Sequence, residues 1–382
     1  QWGPLSTDVA NQAQSLGPQQ HHRPPIRWLR AFELRQPQPP VFAMSNSSSL
    51  VRYLGSRLLL APVMLWLIAS LVFLLLRVAP GDPVDALLGN RASAAARDQL
   101  RAQLGLDQSL WDQYREFLGA LLQGDLGTSL RNSTPVGEIV RDALPASLEL
   151  GITALLVALV VGLAVGFSGV ARPEGKLDLS GRLYGIGTYA LPVFWAAMVM
   201  QLIFAVGLGW FPVGGRFPPT ALPPQGTGFY LLDGILQANP QVIWGTLQHL
   251  ALPAITLGLL LSGIFERALR LTLRRALRSD YVEAARSRGI SERRVVLRHA
   301  LPNALLPVLT ITGITVASLI GGALLIELIF SWPGIAYRLQ EAIAQRDYPL
   351  VQGIVVVIAA LVVMVNLAVD VVVALLDPRL KF

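Results

Sequence analysis

Residues Leu58 to Leu76 read LLLAPVMLWLIASLVFLLL, without one charged side chain. At 1.5 Å per residue, a helix of that length covers roughly the 30 Å hydrocarbon core of a bilayer. Backbone N–H and C=O groups in lipid find no water, so such a run must satisfy them internally, as a helix does. Five more runs repeat the pattern. They cover 150–171, a charge-free stretch between Arg182 and Arg216 centred on 191–208, then 250–265, 305–326 and 350–369. The third ends in Trp210 and Phe211, as an interfacial anchor would. The sequence therefore predicts an all-α integral membrane protein of about six transmembrane helices embedded in a lipid bilayer.

Composition agrees. The 382 residues are 53% hydrophobic and 14% charged, against about a quarter charged in a typical soluble domain. The absence of cysteine removes disulfides, thiolate metal sites and cysteine nucleophiles. Of the four histidines, only His21 and His22 are neighbours, and they sit in a polar Pro/Gln-rich tail, so no metal or cofactor is expected. The nearest approach to a phosphate-binding loop is Gly175-Lys176, but Val170 stands where its first glycine belongs and Leu177 replaces the Ser/Thr. The chain itself should neither bind ATP nor act as an enzyme. Its formal charge of +7 is read for orientation rather than as a sign of nucleic acid.

Gln1 to Ala43 have no helical periodicity and little to bury, and read as a disordered tail. The first methionine is Met44, which the sequence suggests as the start. The expected division is a tail over 1–50, a first helix with a cap over 51–148, and a core over 149–382 with a cytoplasmic loop at 267–300. Arg172, Lys176 and Arg182 follow the second run, ten arginines from Arg267 to Arg298 follow the fourth, and Arg379 and Lys381 follow the sixth. The positive-inside rule makes those loops, and both termini, cytoplasmic. The connection from Pro80 to Leu148 carries nine acidic residues and belongs outside. Within it, Ala94 to Leu104 behind an N-cap at Ser93, and Leu110 to Leu122, predict a small helical cap.

Asp280-Tyr-Val-Glu-Ala-Ala-Arg-Ser-Arg-Gly289 reads as a short helix. Asp280 lies in its first turn, Arg286 and Arg288 in its last, and Gly289 at C′, where positive φ carries no β-carbon penalty. Ser291 is placed as the N-cap of a second helix running to about Ala300. The result is a protruding elbow whose tip presents Tyr281, Ala284 and Ala285 on one face. The alternative reading of the same arginines is an amphipathic loop lying on anionic lipid.

Glu283-Ala284-Ala285, Gly289 and Leu301-Pro302 are spaced by six residues from Glu to Gly and twelve from Gly to Leu. This pattern resembles the cytoplasmic signature of bacterial binding-protein-dependent ABC importer permeases. His299 departs from the broad pattern, but HALPNALLP over 299–307 resembles the dipeptide, oligopeptide and nickel branch. So do Arg77-Val-Ala-Pro-Gly-Asp-Pro83, Leu104-Gly-Leu-Asp107, Gly124-Asp-Leu-Gly127, Gly321-Gly322 with Glu327, Phe330-Ser-Trp-Pro-Gly334, Arg346-Asp-Tyr-Pro349 and Asp377-Pro-Arg379. Ala336 stands where many relatives have the second glycine of a P-G-x-G turn.

The resemblance implies a type I importer permease fold with an external cap between helices 1 and 2. It also implies pairing with a second homologous permease, two cytoplasmic ATP-hydrolysing subunits and an external or periplasmic substrate-binding protein. The elbow would dock into the ATPase through Tyr281, Glu283, Ala284, Ala285 and Gly289, with Leu301 and Pro302 leading into the fifth helix. Di- or oligopeptides are the first substrate class implied, with nickel chelates, glutathione or opines behind them. Thr310, Thr312, Thr315 and Ser318 are candidates to line the pore, although Thr and Ser also pack between membrane helices. Glu327, Asn366 and Asp370 read as structural, and Gly162 with Gly166 as a close helix contact. A secondary transporter is the rival class, and it requires acidic or histidine side chains at mid-span, which the charge-free runs do not offer.

The orientation is testable in a chain without cysteine. A membrane-impermeant thiol reagent applied to intact cells should label Arg131→Cys and spare Arg278→Cys; the reverse pattern would overturn the charge-based topology.

Overall fold

The computed structural model describes residues 47–78, 83–88, 93–171 and 175–376. The expectations for the tail and Met44, and those resting on Pro80 to Asp82, Arg172 or Asp377 to Lys381, lie outside the described residues. The fold is helical, with one isolated bridge, Thr128 to Pro135, among the described residues. In chain order the helices are α1 (Ser47–Val78), α2 (Pro83–Leu88), α3 (Ala94–Gln103), α4 (Leu110–Leu122), α5 (Val136–Ala171), α6 (Lys176–Ala190) and α7 (Val193–Met200). After these come α8 (Tyr230–Leu236), α9 (Pro240–Leu277), α10 (Asp280–Ser287), α11 (Glu292–Arg294), α12 (Leu301–Ile329), α13 (Ile335–Gln345) and α14 (Tyr348–Leu376).

Five stretches are long and apolar enough to cross a membrane: Gly55–Val78, Val136–Val170, Pro240–Leu277, Glu292–Val316 and Tyr348–Val372. The pair Lys176–Ala190 and Val193–Gly207 passes the same test only when its two helices are taken together, and it is bent by 104° at the break between them. The third run, read from sequence as one helical span centred on 191–208, is thus two helices meeting at a corner. Pro192 cannot donate to the helical ladder and pushes the residue before it out of the α region; Leu191 accordingly has φ −81° and ψ 124°. Beyond the corner, Gln201–Gly207 continues as a π-helical turn.

The centre of the molecule is the contact between α5 and α9, which run side by side in the same direction. A Cβ on Gly258 would come within 2.6 Å of Val157, and one on Gly166 within 2.8 Å of the Glu266 carbonyl oxygen. In lipid no hydrophobic gain drives helices together, so close approach through small residues does that work. α12 returns antiparallel to α9, the Thr272 hydroxyl donating across to the Ala304 carbonyl at 2.9 Å.

The cap closes one end. Ser93 and Ser109 cap α3 and α4, accepting from the N–H groups of Ala96 and Asp112. α4 rests on α1 through Phe73, whose ring lies 5.3 Å from Tyr114 and 5.6 Å from Phe117. The Glu327 carboxylate accepts from Ser147 Oγ at 2.5 Å and from the N–H groups of Ala336 and Tyr337, and so caps α13. Ala336 is therefore accommodated as alanine, its φ not among the positive ones. Asp347 accepts from Ser129 Oγ and the Leu130 N–H, tying the cap to the start of α14. Glu327 thus has the structural role read from sequence, and Asp370 pairs with Arg57 at 3.4 Å.

A buried ion pair sits near the same end. Arg216 and Glu149 are each about 5% exposed and meet at 2.7 Å; Glu149 also accepts the Leu231 N–H, and the guanidinium lies 3.7 Å from the Tyr230 ring centroid. Removing one partner of such a pair strands the other in the interior, at about 3–5 kcal/mol. Glu149→Gln should therefore lower the thermal unfolding midpoint of the detergent-solubilised protein markedly, while Arg131→Gln on the exposed cap should leave it nearly unchanged. Equal midpoints for both would contradict the pair's place in the fold.

Candidate functional site

The elbow is built at the opposite end from the cap. α9 does not stop where its apolar run does but continues as helix to Leu277, so the loop expected from Arg267 begins only at Arg278. α10 then carries Asp280 and Glu283 in its first turn and Arg286 in its last, each favourable to the helix dipole. Gly289 has φ +75°. Its N–H donates to the Arg286 carbonyl at 2.9 Å, and the Ile290 N–H to the Ala285 carbonyl at 3.4 Å. That pair of bonds is a Schellman motif, with Gly289 at C′. Ser291 holds the N-cap position by its carbonyl, which accepts from Arg294 and Val295, but its side chain makes no cap hydrogen bond.

A second closure was not legible from spacing. Arg286 donates to Glu292 through Nε at 3.0 Å and Nη2 at 2.6 Å, and through Nη1 to the Leu277 carbonyl at 3.2 Å. The guanidinium therefore joins the end of α9 to both arms of the elbow, and the Glu292 hydrogen bonds push its pKa further up. Past α11, Val295–Ala300 widens into a π-helical turn that runs without a break into α12, and Pro302, which has no N–H to give the ladder, lies at that junction.

The inner face is apolar. Val282, Ala285 and Val295 are buried with Leu273, Ala300 and Ala304, and Ile290 and Leu301 pack at the margin. This corrects the face read from sequence: Ala285 does not share the exposed surface of Tyr281 and Ala284. Val282 and Ala285, three apart, form the inward stripe, which leaves Tyr281, Glu283 and Ala284 outside, with Gly289 exposed at the corner. Ala285 is the floor of the elbow and Ala284 part of its surface.

The pore candidates are not gathered in the same way. Thr312 and Thr315 donate to the Val308 and Ile311 carbonyls of their own helix, and Thr315 is buried; Thr310 is exposed, and the side chain of Ser318 lies outside the described residues.

The family model described as "Binding-protein-dependent transport system inner membrane component" matches residues 158–382, and the corresponding N-terminal model matches 50–151. The chain belongs to this family. It is thereby a multi-pass inner membrane protein and a transport component. The dipeptide transport system permease protein DppB of Alkalihalophilus pseudofirmus is 38% identical, over 85% of this chain and 97% of that one. The di/tripeptide transport system permease protein DppB of Pseudomonas aeruginosa is 39% identical, over 82% and 94%. The oligopeptide transport system permease protein AppB of Bacillus subtilis is 35% identical, over 86% and 99%. Among solved structures, a chain of the MetNI methionine ABC transporter in an inward-facing conformation aligns at 16% identity and a TM-score of 0.46, covering 63% of this chain and 96% of that one.

The two alanines of the elbow of this inner membrane component should respond differently to bulk. Ala285→Trp overpacks a filled site, at about 1–3 kcal/mol or more, and should make the 277–301 segment accessible to protease. Ala284→Trp faces solvent and should leave the segment as resistant as before; equal cleavage of the two variants would contradict the inward placement of Ala285.

Proposed function

We propose that this inner membrane component is the pore-forming permease of an ATP-driven importer of di- or oligopeptides. In this reading the Asp280–Ala300 elbow receives the thrust of an ATP-hydrolysing subunit on the cytoplasmic side. The observation that carries it is the elbow's two-sidedness. Its inner face is packed onto α9 and α12, so a push on the tip moves the membrane helices rather than bending a free loop. Its outer face, Tyr281, Glu283 and Ala284, is open for a partner. Two of the relatives are named for di- or tripeptides and one for oligopeptides, which supports the substrate class.

The assembly that follows is a pair of permeases, two ATPase subunits and a substrate-binding protein delivering peptide on the cap side. Both termini face the cytoplasm, in keeping with the arginine-rich elbow segment. Residues 51–148 supply the first helix and external cap, and 149–382 the permease core. ATP-driven closure of the ATPases would tilt the elbow and, through the π-helical turn before Leu301, move α12 between two arrangements.

Gly289 offers the test. A Cβ there meets nothing within 4 Å, so a side chain would not clash, but φ +75° costs a β-branched residue roughly 1–2 kcal/mol. That is too little to unfold a membrane helix bundle and enough to misdirect the tip. Gly289→Val should insert normally, still bind the substrate-binding protein, lose peptide transport and retain the ATPase subunits poorly on purification. Normal transport with the ATPases fully retained would contradict the elbow's role and favour an arginine-rich loop resting on anionic lipid.

A further inference from the structure

Along α9, Ser262, Glu266, Arg270 and Arg274 recur every four residues and form one ridge directed at α6. Tyr184 and Ser262 share a hydrogen bond at 2.5 Å. Glu266, 1% exposed, accepts from Arg270 at 2.6 Å, and its other oxygen lies against Gly185, where a Cβ would come within 2.6 Å. Asp178, wholly buried, accepts from Arg182 at 2.8 Å and pairs with Arg274 across the seam. Arg182 and Arg270 pair within their own helices, so one ion pair, Asp178 with Arg274, crosses a seam that also closes by direct contact of glycine with backbone, as where Gly263 would meet the Gly185 carbonyl oxygen at 3.2 Å.

Stability does not account for this. Well-packed apolar side chains replace buried ion pairs at little or no cost, whereas an ion pair fixes one register of two helices. The register here has two informative ends. Arg274 lies in the last turn of α9, one turn before Leu277, whose carbonyl holds Arg286 of the elbow. At the other end α6 turns through 104° into Val193–Gly207. There Gln201 donates to the carbonyls of Val213 at 2.7 Å and Ile329 at 3.0 Å, the latter at the far end of α12.

We propose that Asp178 is a positioning residue that makes α6 a crank: it holds Arg274 so that a tilt of the elbow turns α6 and swings Val193–Gly207, joining the elbow to the far end of α12 by a second route. This rests on the elbow being the coupling element. The direct route runs through Leu301 and Pro302 into α12. The crank adds a lever on the opposite flank of α9, so that both α12 and α7 follow one input.

The test uses the whole importer in lipid vesicles, with substrate-binding protein and radiolabelled alanyl-alanine, reading peptide transported per ATP hydrolysed. Asp178→Asn should assemble with its ATPases and hydrolyse ATP at an ordinary rate, but move about tenfold less peptide per ATP, within the range of coupling between distant sites. Asp178→Glu should restore most of the ratio. Arg274→Gln should match Asp178→Asn, and the double variant should be no worse than either, as members of one pair are non-additive. If Asp178→Asn fails to reach the membrane, Arg274→Gln at the more exposed end carries the same prediction. An unchanged peptide-to-ATP ratio in Arg274→Gln, or in Asp178→Asn once assembled with its ATPases, would overturn the crank. Gly289→Val in the same vesicles separates the two ideas: if it transports normally, the elbow reading itself is wrong, whereas if it fails while the Asp178 variants keep their ratio, only the crank is.

Discussion

Everything else in this molecule is positioned by the backbone contact between α5 and α9. The two helices touch at Gly162, Gly166 and Gly258, where a methyl group on either would strike the neighbouring main chain or Val157. Inside a bilayer such contact replaces the hydrophobic effect as the source of association, because apolar side chains gain little by leaving lipid for protein. Since α5 and α9 are parallel, their common direction separates two ends with different chemistry. At one end Glu149 meets Arg216 and the cap seats on α1 and α14. At the other the last turns of α9 become the stem of the elbow.

The elbow gains its geometry from short-range rules and its stiffness from long-range ones. The Schellman corner at Gly289 sets the angle between α10 and α11, and Arg286 bonded to both Glu292 and Leu277 keeps it. Val282 and Ala285 then fasten the whole unit onto Leu273 and Ala304. A hinge would have been looser. This unit is packed directly onto the helices beneath it, and the π-helical turn at Val295–Ala300 is the place where the hydrogen-bond ladder departs from the α pattern.

The crossings were legible in the sequence because each contains a long charge-free apolar run, which the hydrocarbon core requires. Gly289 was legible because a helix ending before a glycine has a local solution that depends on no distant residue. The corner at Leu191–Pro192 was harder: hydropathy has no direction, so a chain that turns through 104° looks apolar on both sides of the turn. Pro192 carried the signal, but proline also sits unbroken inside α1, α5 and α9. Nothing in the sequence singled out Asp178, Glu149 or Glu266, since their burial depends on Arg274, Arg216 and the glycine face of α6, which sequence spacing does not connect. Ala285 was placed outward because two adjacent alanines look alike until the core beneath one of them is known.

The central claim is that the outer face of the elbow carries the ATP-driven push, and contact at Ala284 tests it most directly. This chain has no cysteine, so Ala284→Cys in the assembled complex can be labelled with a short reagent carrying one thiol-reactive and one photoreactive end, then irradiated with and without ATP and vanadate. The account predicts a crosslink from position 284 to the ATPase subunit whose yield changes with nucleotide state. It also predicts no crosslink from Ala285→Cys, which faces the floor. A position 284 that never reaches the ATPase, or reaches it identically in every nucleotide state, would contradict it.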